Sequence, residues 1–202
     1  GYTSGQLGTT YLQHVGNLVS YLFDDSLLTE PFGRYHNFFN IYAVNVVSNE
    51  SGADKETPGK TVDTALGATF FADGVTDRLL DINVQLAGEA LSIGLQGSGI
   101  VPDMKFVTVN TGVYGGAGGS FATFAGGNAS ANELALHEMA HSFVGLADEY
   151  TAAGTGGQSG SDYTGGEPWQ ANVTKSPTGE KWAQWVGYDQ PGIGVIGAYE
   201  GG

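Results

Sequence analysis

Residues Leu134 to Tyr150 read LALHEMAHSFVGLADEY, and this stretch decides how the rest of the chain is interpreted. It contains two histidines, His137 and His141, four positions apart, with Glu138 beside the first. Side chains at i and i+4 project from the same face of an α-helix, so two imidazoles with this spacing can bind one metal ion. The stretch therefore predicts a metal-binding helix that carries H-E-x-x-H.

The flanking residues predict where this helix begins and ends. Ser130 and Glu133 fit a capping box, in which each side chain satisfies a free backbone donor of the other, so the helix should start near Ala131. Gly145 fits the position that follows a helix, because glycine adopts the left-handed conformation without steric cost. The alternative is an ordinary buried helix, but two histidines and a glutamate are costly to bury on an apolar helix without a purpose.

Each member of H-E-x-x-H has a physical role in a zinc hydrolase. Neutral imidazole nitrogens bind Zn²⁺ at about 2.0 to 2.1 Å, and a helix fixes the separation of two such nitrogens. Glu138 lies about 100° around the helix from His137, so it should reach a water molecule at the metal and not the metal itself. Zinc lowers the pKa of that water to about 7, and Glu138 is predicted to act as general base and then as general acid.

The third metal ligand is predicted from the residues after the second histidine. Metzincins continue as HExxHxxGxxH, whereas this chain reads H-E-x-x-H-x-x-x-G-x-x-D, with Gly145 one position later and Asp148 in place of histidine. A carboxylate oxygen is an acceptable zinc ligand. Glu149 is the rival, because spacing does not rank neighbours after a turn, and both acids also fit a solvated loop start. A gluzincin-type ligand would need a glutamate on a second downstream helix, and no convincing helix surrounds Glu167, Glu180 or Glu200.

Four stretches resemble the IgA-peptidase family of zinc metallopeptidases. They are "HEMAHSFVGLADEY", "DTALGATFF" (63–71), "VNTGVYGG" (109–116) and "EPWQANVT" (167–174). Similarity is spread from Tyr2 to the C-terminus, and "GLADEY" is far more specific to the family than the His-Glu-His core. The only methionines, Met104 and Met139, precede the third-ligand position, so the methionine turn that follows it in metzincin-like enzymes is missing. The chain is accordingly expected to be a fragment, a processed product or an enzyme with a different floor.

The resemblance implies a zincin-like fold and a secreted or periplasmic endopeptidase acting on proteins or peptides. It implies one zinc ion bound by His137, His141 and Asp148, with Glu138 as the base. Cleavage of immunoglobulin A is known only for particular members and is not implied here. Two alternatives remain: a non-catalytic adhesin or surface-assembly component with a structural zinc, and a zinc amidase acting on cell-wall peptides or glycoprotein.

Composition narrows the range of partners. The chain has 202 residues and a net charge of −14, which repels phosphate backbones, so nucleic acid is not expected as a partner. Cysteine is absent, which leaves His, Asp and Glu as metal ligands. No apolar run is long enough to span a membrane, and the opening "GYTSGQLG" is typical of a mature or trimmed soluble domain. Sequons for N-glycosylation stand at Asn49, Asn128 and Asn172, and the sequence does not indicate an oligomeric state.

The pattern of elements predicts a mixed α/β fold with a sheet packed on helices. Apolar residues spaced three or four apart predict a helix from Ser4 to about Leu22, and a second from about Thr76 to about Gly97. Three stretches predict strands: a buried one at 38–47, a central one at 104–109 and one at 120–125 toward a sheet edge.

The chain is predicted to form one catalytic domain over 1–202. Residues 1–150 would carry the active-site helix, and 151–202 would form a small subdomain rich in glycine and tryptophan. The glycine-rich stretch Tyr114 to Gly119, which we call the site rim, is predicted to bind substrate by backbone pairing, or else to be an ordinary hairpin. Asp148, Glu149 and Asp162 are a weakly supported calcium site, since their spacing matches no EF-hand and a flexible loop fits better.

Overall fold

A computed structural model describes residues 1–24, 29–149 and 164–199. The chain divides into two compact units, Gly1–Phe143 and Val144–Gly202. Most of the predicted glycine-rich loop after Tyr150, together with Asp162 and Glu200, lies outside the described residues. The single catalytic domain over 1–202, with parts 1–150 and 151–202, stays a prediction.

The N-terminal helix forms where the apolar spacing predicts it. It consists of α1 (Ser4–Gln6), a π-helical turn (Leu7–Tyr11) and α2 (Leu12–Phe23). A π-helical turn is wider than an α-helical one, which agrees with the two successive four-residue steps of the apolar stripe in this part of the sequence. Leu18 and Leu22 of α2 are buried in the core.

A three-stranded sheet lies at the centre of the first unit. Its strands are β1 (Phe106–Val109), β2 (Gly116–Ala117) and β3 (Ala122–Ala125), in the spatial order β1-β3-β2. β3 is parallel to β1 and antiparallel to β2, and all four of its residues are buried. The prediction that 104–109 is central and 120–125 lies toward an edge was wrong. The glycine-rich stretch itself supplies β2, and β3 therefore has a neighbour on both sides.

The predicted strand over 38–47 is not present. One isolated bridge, between Val47 and Tyr2, is the pairing seen for this segment in the part of the chain that is described. The carbonyl of Val44 accepts a hydrogen bond from the Tyr11 hydroxyl at 3.1 Å. Strand propensity depends strongly on context, and here contacts with the N-terminal helix replace a ladder.

The second helix starts later than predicted. It is α3 (Val84–Gly94), and the Asn83 side chain accepts hydrogen bonds from the two backbone N–H groups that follow Val84. Before this cap, Asp81 pairs with Thr69 in an antiparallel bridge and Leu80 is completely buried. The apolar residues from Thr76 onward therefore fill the core from an irregular segment, because the capping asparagine sets the start of the helix.

The predicted active-site helix is α4 (Ala131–Val144), with the bounds that the sequence indicates. Gly145 follows it with a φ of 65°, the left-handed conformation expected there. Leu134 and Ala135 anchor α4 in the core of the first unit. Among the described helices none is long and apolar enough to cross a membrane.

The second unit contains an antiparallel pair of short strands, β4 (Asp189–Gln190) and β5 (Gly194–Val195). A 3₁₀ turn, Glu180–Trp182, precedes them. Together with the helices and sheet of the first unit, these elements confirm the mixed α/β class.

Candidate functional site

The two histidines of α4 come together as the spacing predicts. The Nε2 atoms of His137 and His141 are 3.1 Å apart, and both side chains are half-buried. Two nitrogens bound to one tetrahedral zinc at about 2.0 to 2.1 Å stand roughly 3.3 Å from each other. The two imidazoles therefore fit a shared metal ion with little adjustment.

Glu138 completes the cluster from a different side of the helix. One ligand atom from each of His137, Glu138 and His141 lies within 4.8 Å of the others, and within the described ranges this is the one group of three such residues that could hold a metal. Glu138 is only 8 % exposed, which is unusual for a glutamate. A buried carboxylate beside two imidazoles is the arrangement that general base catalysis at a metal requires.

β2 approaches α4 so closely that only glycine fits at the contact. A Cβ atom at Gly116 would lie 2.6 Å from the Oε1 atom of Glu138 and 2.9 Å from its Cγ atom. A Cβ atom at Gly118, just past β2, would lie 2.6 Å from the Cβ atom of His141. These separations are far below ordinary carbon contacts of 3.5 to 4.0 Å. The two glycines thus let the strand fix both the glutamate and the second histidine by direct packing.

Ser142 ties the same strand region to the helix by hydrogen bonds. Its hydroxyl donates to the Glu138 carbonyl oxygen at 2.8 Å and accepts from the Gly119 N–H at 3.0 Å. One side chain therefore links the residue after Gly118 to the turn of helix that carries the histidines.

Only part of the predicted site rim is open to a ligand. The N–H of Gly116 donates to the Arg78 carbonyl, and the Gly116 carbonyl accepts from the Leu80 N–H. That side of β2 is therefore already paired within the chain. Gly118 is exposed and lies against His141, so the part of the rim that adjoins the histidines is Gly118 and Gly119.

The predicted third ligand and its rival belong to the second unit. Asp148 and Glu149 are both exposed. Glu149 accepts a hydrogen bond from the Asn172 amide, with 2.6 Å between its Oε1 atom and Nδ2. The role of Asp148 as a metal ligand stays a prediction, and the weakly supported calcium site includes Asp162, which lies outside the described residues.

Several residues of the site were not predicted from the sequence. Gly116 and Gly118 were recognised as part of a flexible glycine stretch, but their close approach to α4 depends on tertiary packing. Ser142 follows His141 directly, and nothing in that position indicates a contact with another element. Asn172 was noted only as a glycosylation sequon, although its place in "EPWQANVT" was one of the signals of the family.

A helix with two histidines and a glutamate, packed against the edge of a sheet, defines the class of H-E-x-x-H metallopeptidases. The family described as IgA Peptidase M64 matches residues 1–193. The chain belongs to this peptidase family, and the resemblance stated from its motifs is confirmed. Its His137–Glu138–His141 cluster could bind a metal ion. A search of curated proteins finds no match.

Proposed function

We propose that this protein is a zinc-dependent endopeptidase of the zincin-like type, secreted or periplasmic, that hydrolyses peptide bonds in proteins or glycoproteins. One observation carries the proposal: two imidazole nitrogens 3.1 Å apart adjoin a buried glutamate on the same helix. Membership of a peptidase family supports hydrolysis, and the resemblance of the motifs supports the location.

His137 and His141 would hold the metal, and Asp148 would supply the third ligand. The donor set of two imidazoles and a carboxylate suits zinc, which takes nitrogen and oxygen ligands and is held by three protein groups in catalytic sites. Zinc, when bound, would supply a Lewis acid that polarises a carbonyl and lowers the pKa of a coordinated water to about 7.

Glu138 would move the proton. Its carboxylate would accept a proton from the attacking water and pass it to the amine that leaves when the peptide bond breaks. The contact with Gly116 restricts the conformations open to this side chain, so that the carboxylate is held in one orientation before substrate binds.

The substrate would lie as an extended strand along Gly118 and Gly119. Backbone pairing of this kind reads no particular side chain, and it suits a chain that continues in both directions, as an internal peptide bond requires. This orientation is why we propose an endopeptidase.

The chief alternative is a surface component with a structural zinc and no catalysis. Structural zinc sites are closed by four protein ligands, whereas catalytic sites keep one position for water. The half-exposed histidines favour an open site. A zinc amidase remains the alternative within hydrolases, and substrate tests separate it from a peptidase.

Digestion of casein and of a mixed peptide library tests the proposal. Wild type and Glu138→Ala should each hold one zinc, and only wild type should cut internal peptide bonds. Cleavage that survives the substitution would overturn the mechanism. Zinc in both proteins without cleavage by either would favour the structural alternative, and release of cell-wall peptides alone would favour the amidase.

A further inference from the structure

One asparagine of the second unit holds the chain on both sides of the predicted third ligand. The Asn172 Oδ1 atom accepts from the Ala147 N–H at 2.9 Å, and its Nδ2 atom donates to the Ala147 carbonyl at 2.8 Å. The same Nδ2 atom donates to the Glu149 carboxylate at 2.6 Å. Because Nδ2 carries two hydrogens, both of its donors are used.

These three hydrogen bonds treat the two neighbouring acids differently. Glu149 is bound through its carboxylate to the segment 167–175, which we call the asparagine loop. Ala147 is bound to the same amide through its backbone. Asp148, between the two attached residues, is thereby fixed in the backbone while the competing carboxylate is committed to the loop.

The asparagine loop is itself tightly organised. The Lys181 ammonium donates to the carbonyl oxygens of Gln170 and Val173, each at 2.7 Å, and to that of Pro168. It also forms an ion pair of 3.2 Å with Glu167. An ammonium group bound by three carbonyls and a carboxylate holds the loop in one conformation and satisfies all of its own donors.

A second contact supports the same attachment. A Cβ atom at Gly145 would lie 2.8 Å from the Cη2 atom of Trp169, so the tryptophan ring packs directly on the residue that ends α4. Trp169 and Asn172 thus hold the segment 145–149 at two points from one loop.

We propose that Asn172 is a positioning residue that assigns the third-ligand role to Asp148, by fixing Ala147 and by binding the carboxylate of Glu149. This inference rests on the proposed function, because it takes Asp148 as a zinc ligand. Residues that hold a metal ligand in place typically change metal affinity about 10- to 100-fold when they are replaced. Lys181 acts one step further away, through the asparagine loop.

The test is Asn172→Asp, which removes the amide donor and places a second carboxylate against Glu149. Zinc affinity would be measured by competition with a chelator, and the ligand set by the visible absorption of the Co²⁺-substituted protein. The expected result is a fall in zinc affinity of about 10- to 100-fold and an altered Co²⁺ spectrum. Asn49→Asp is the matched control, because Asn49 donates to the Asp63 carboxylate at 2.7 Å in the other unit. It should leave both readouts unchanged.

Three further variants separate this inference from the proposed function. Asp148→Asn should lose tight zinc binding and Glu149→Gln should keep it. If Asp148→Asn loses zinc but Asn172→Asp binds it as wild type does, the inference about Asn172 fails and the proposed function stands. If Asp148→Asn keeps tight binding, the ligand assignment in the proposed function fails. The double variant Asn172→Asp with Glu149→Gln restores a donor and an acceptor at the contact, and it should recover affinity. A double variant that folds and binds as weakly as Asp148→Asn would overturn the inference, even where Asn172→Asp alone does not fold.

Discussion

The two parts of the candidate site are held in place by different forces. In the first unit, β2 and the residue that follows it fix Glu138 and His141 by close packing, with glycine where any side chain would collide. In the second unit, Asn172 and Lys181 fix the segment around Asp148 with hydrogen bonds. The first arrangement should therefore fail when an atom is added, and the second when a polar group is removed.

The largest effect should come from adding one methyl group beside the base. Gly116→Ala places a Cβ atom 2.6 Å from the Glu138 Oε1 atom, so the carboxylate must move. A misplacement of about 1 Å in a catalytic group can cost on the order of 100-fold in rate, and we expect a loss of that size in kcat. Peptide cleavage by the zinc-loaded protein would measure it.

Zinc content provides the control for Gly116→Ala, because the contact involves the glutamate and not a histidine. We expect zinc affinity to stay near that of wild type. A variant with full kcat would show that the glutamate is not held by this glycine.

The next largest effect should come from a methyl group beside the second histidine. Gly118→Ala places a Cβ atom 2.6 Å from that of His141, and zinc affinity should fall about 10- to 100-fold. Chelator competition would measure the change. Gly112→Ala is the control, because a Cβ atom there meets its nearest neighbour at an ordinary 3.8 Å. Equal affinity in the two variants would contradict the packing account.

A glycine outside the site should respond in the opposite direction. Gly88 lies on the exposed side of α3, and a Cβ atom there meets nothing within 4 Å. Alanine is favoured over glycine within helices, so Gly88→Ala should raise the free energy of unfolding by about 0.5 to 1 kcal/mol. Urea denaturation would measure it. A loss of stability would mean that α3 does not tolerate a side chain at this position.

The smallest effect concerns a polar network within the first unit. The Tyr2 hydroxyl lies 2.7 Å from the Nδ1 atom of His14 and 3.0 Å from the Thr108 hydroxyl. Burial lowers the pKa of His14 below its ordinary value of 6.5 and raises the pKa of Tyr2 to about 12. Below pH 6.5 the unfolded chain therefore binds more protons than the folded chain, and stability should fall as the pH drops toward the lower folded-state pKa of His14.

Thermal unfolding of the metal-free protein at several pH values would test this dependence. Replacing the titrating group by His14→Gln should reduce the loss of stability between pH 6.5 and the lower folded-state pKa. The change should be small, because His14 is only partly buried and solvent screens it. Identical pH dependence in the two proteins would contradict the role given to His14.

What could be predicted from the sequence was local. The helix that carries His137 and His141 has its bounds where the flanking serine and glycine indicate, because capping depends on residues within one turn. The meeting of the two imidazoles follows from helix geometry alone.

What could not be predicted depends on contacts between distant residues. The stretch 38–47 has the composition of a strand but lacks a paired neighbour along its length, and composition does not reveal the partner. The glycines at 116 and 118 indicate freedom of the backbone, whereas their role is the close approach of two elements. Asn172 contacts Ala147 from 25 positions away in sequence, a distance that no short pattern encodes.

The most direct test of the central claim is X-ray absorption at the zinc edge of the metal-loaded protein, compared with His137→Ala. We expect one zinc with two imidazole nitrogens at about 2.0 to 2.1 Å, one carboxylate oxygen and one solvent oxygen, and the loss of this site in the variant. Four protein ligands around the metal, or a zinc site that survives His137→Ala unchanged, would contradict a catalytic metal centre on α4.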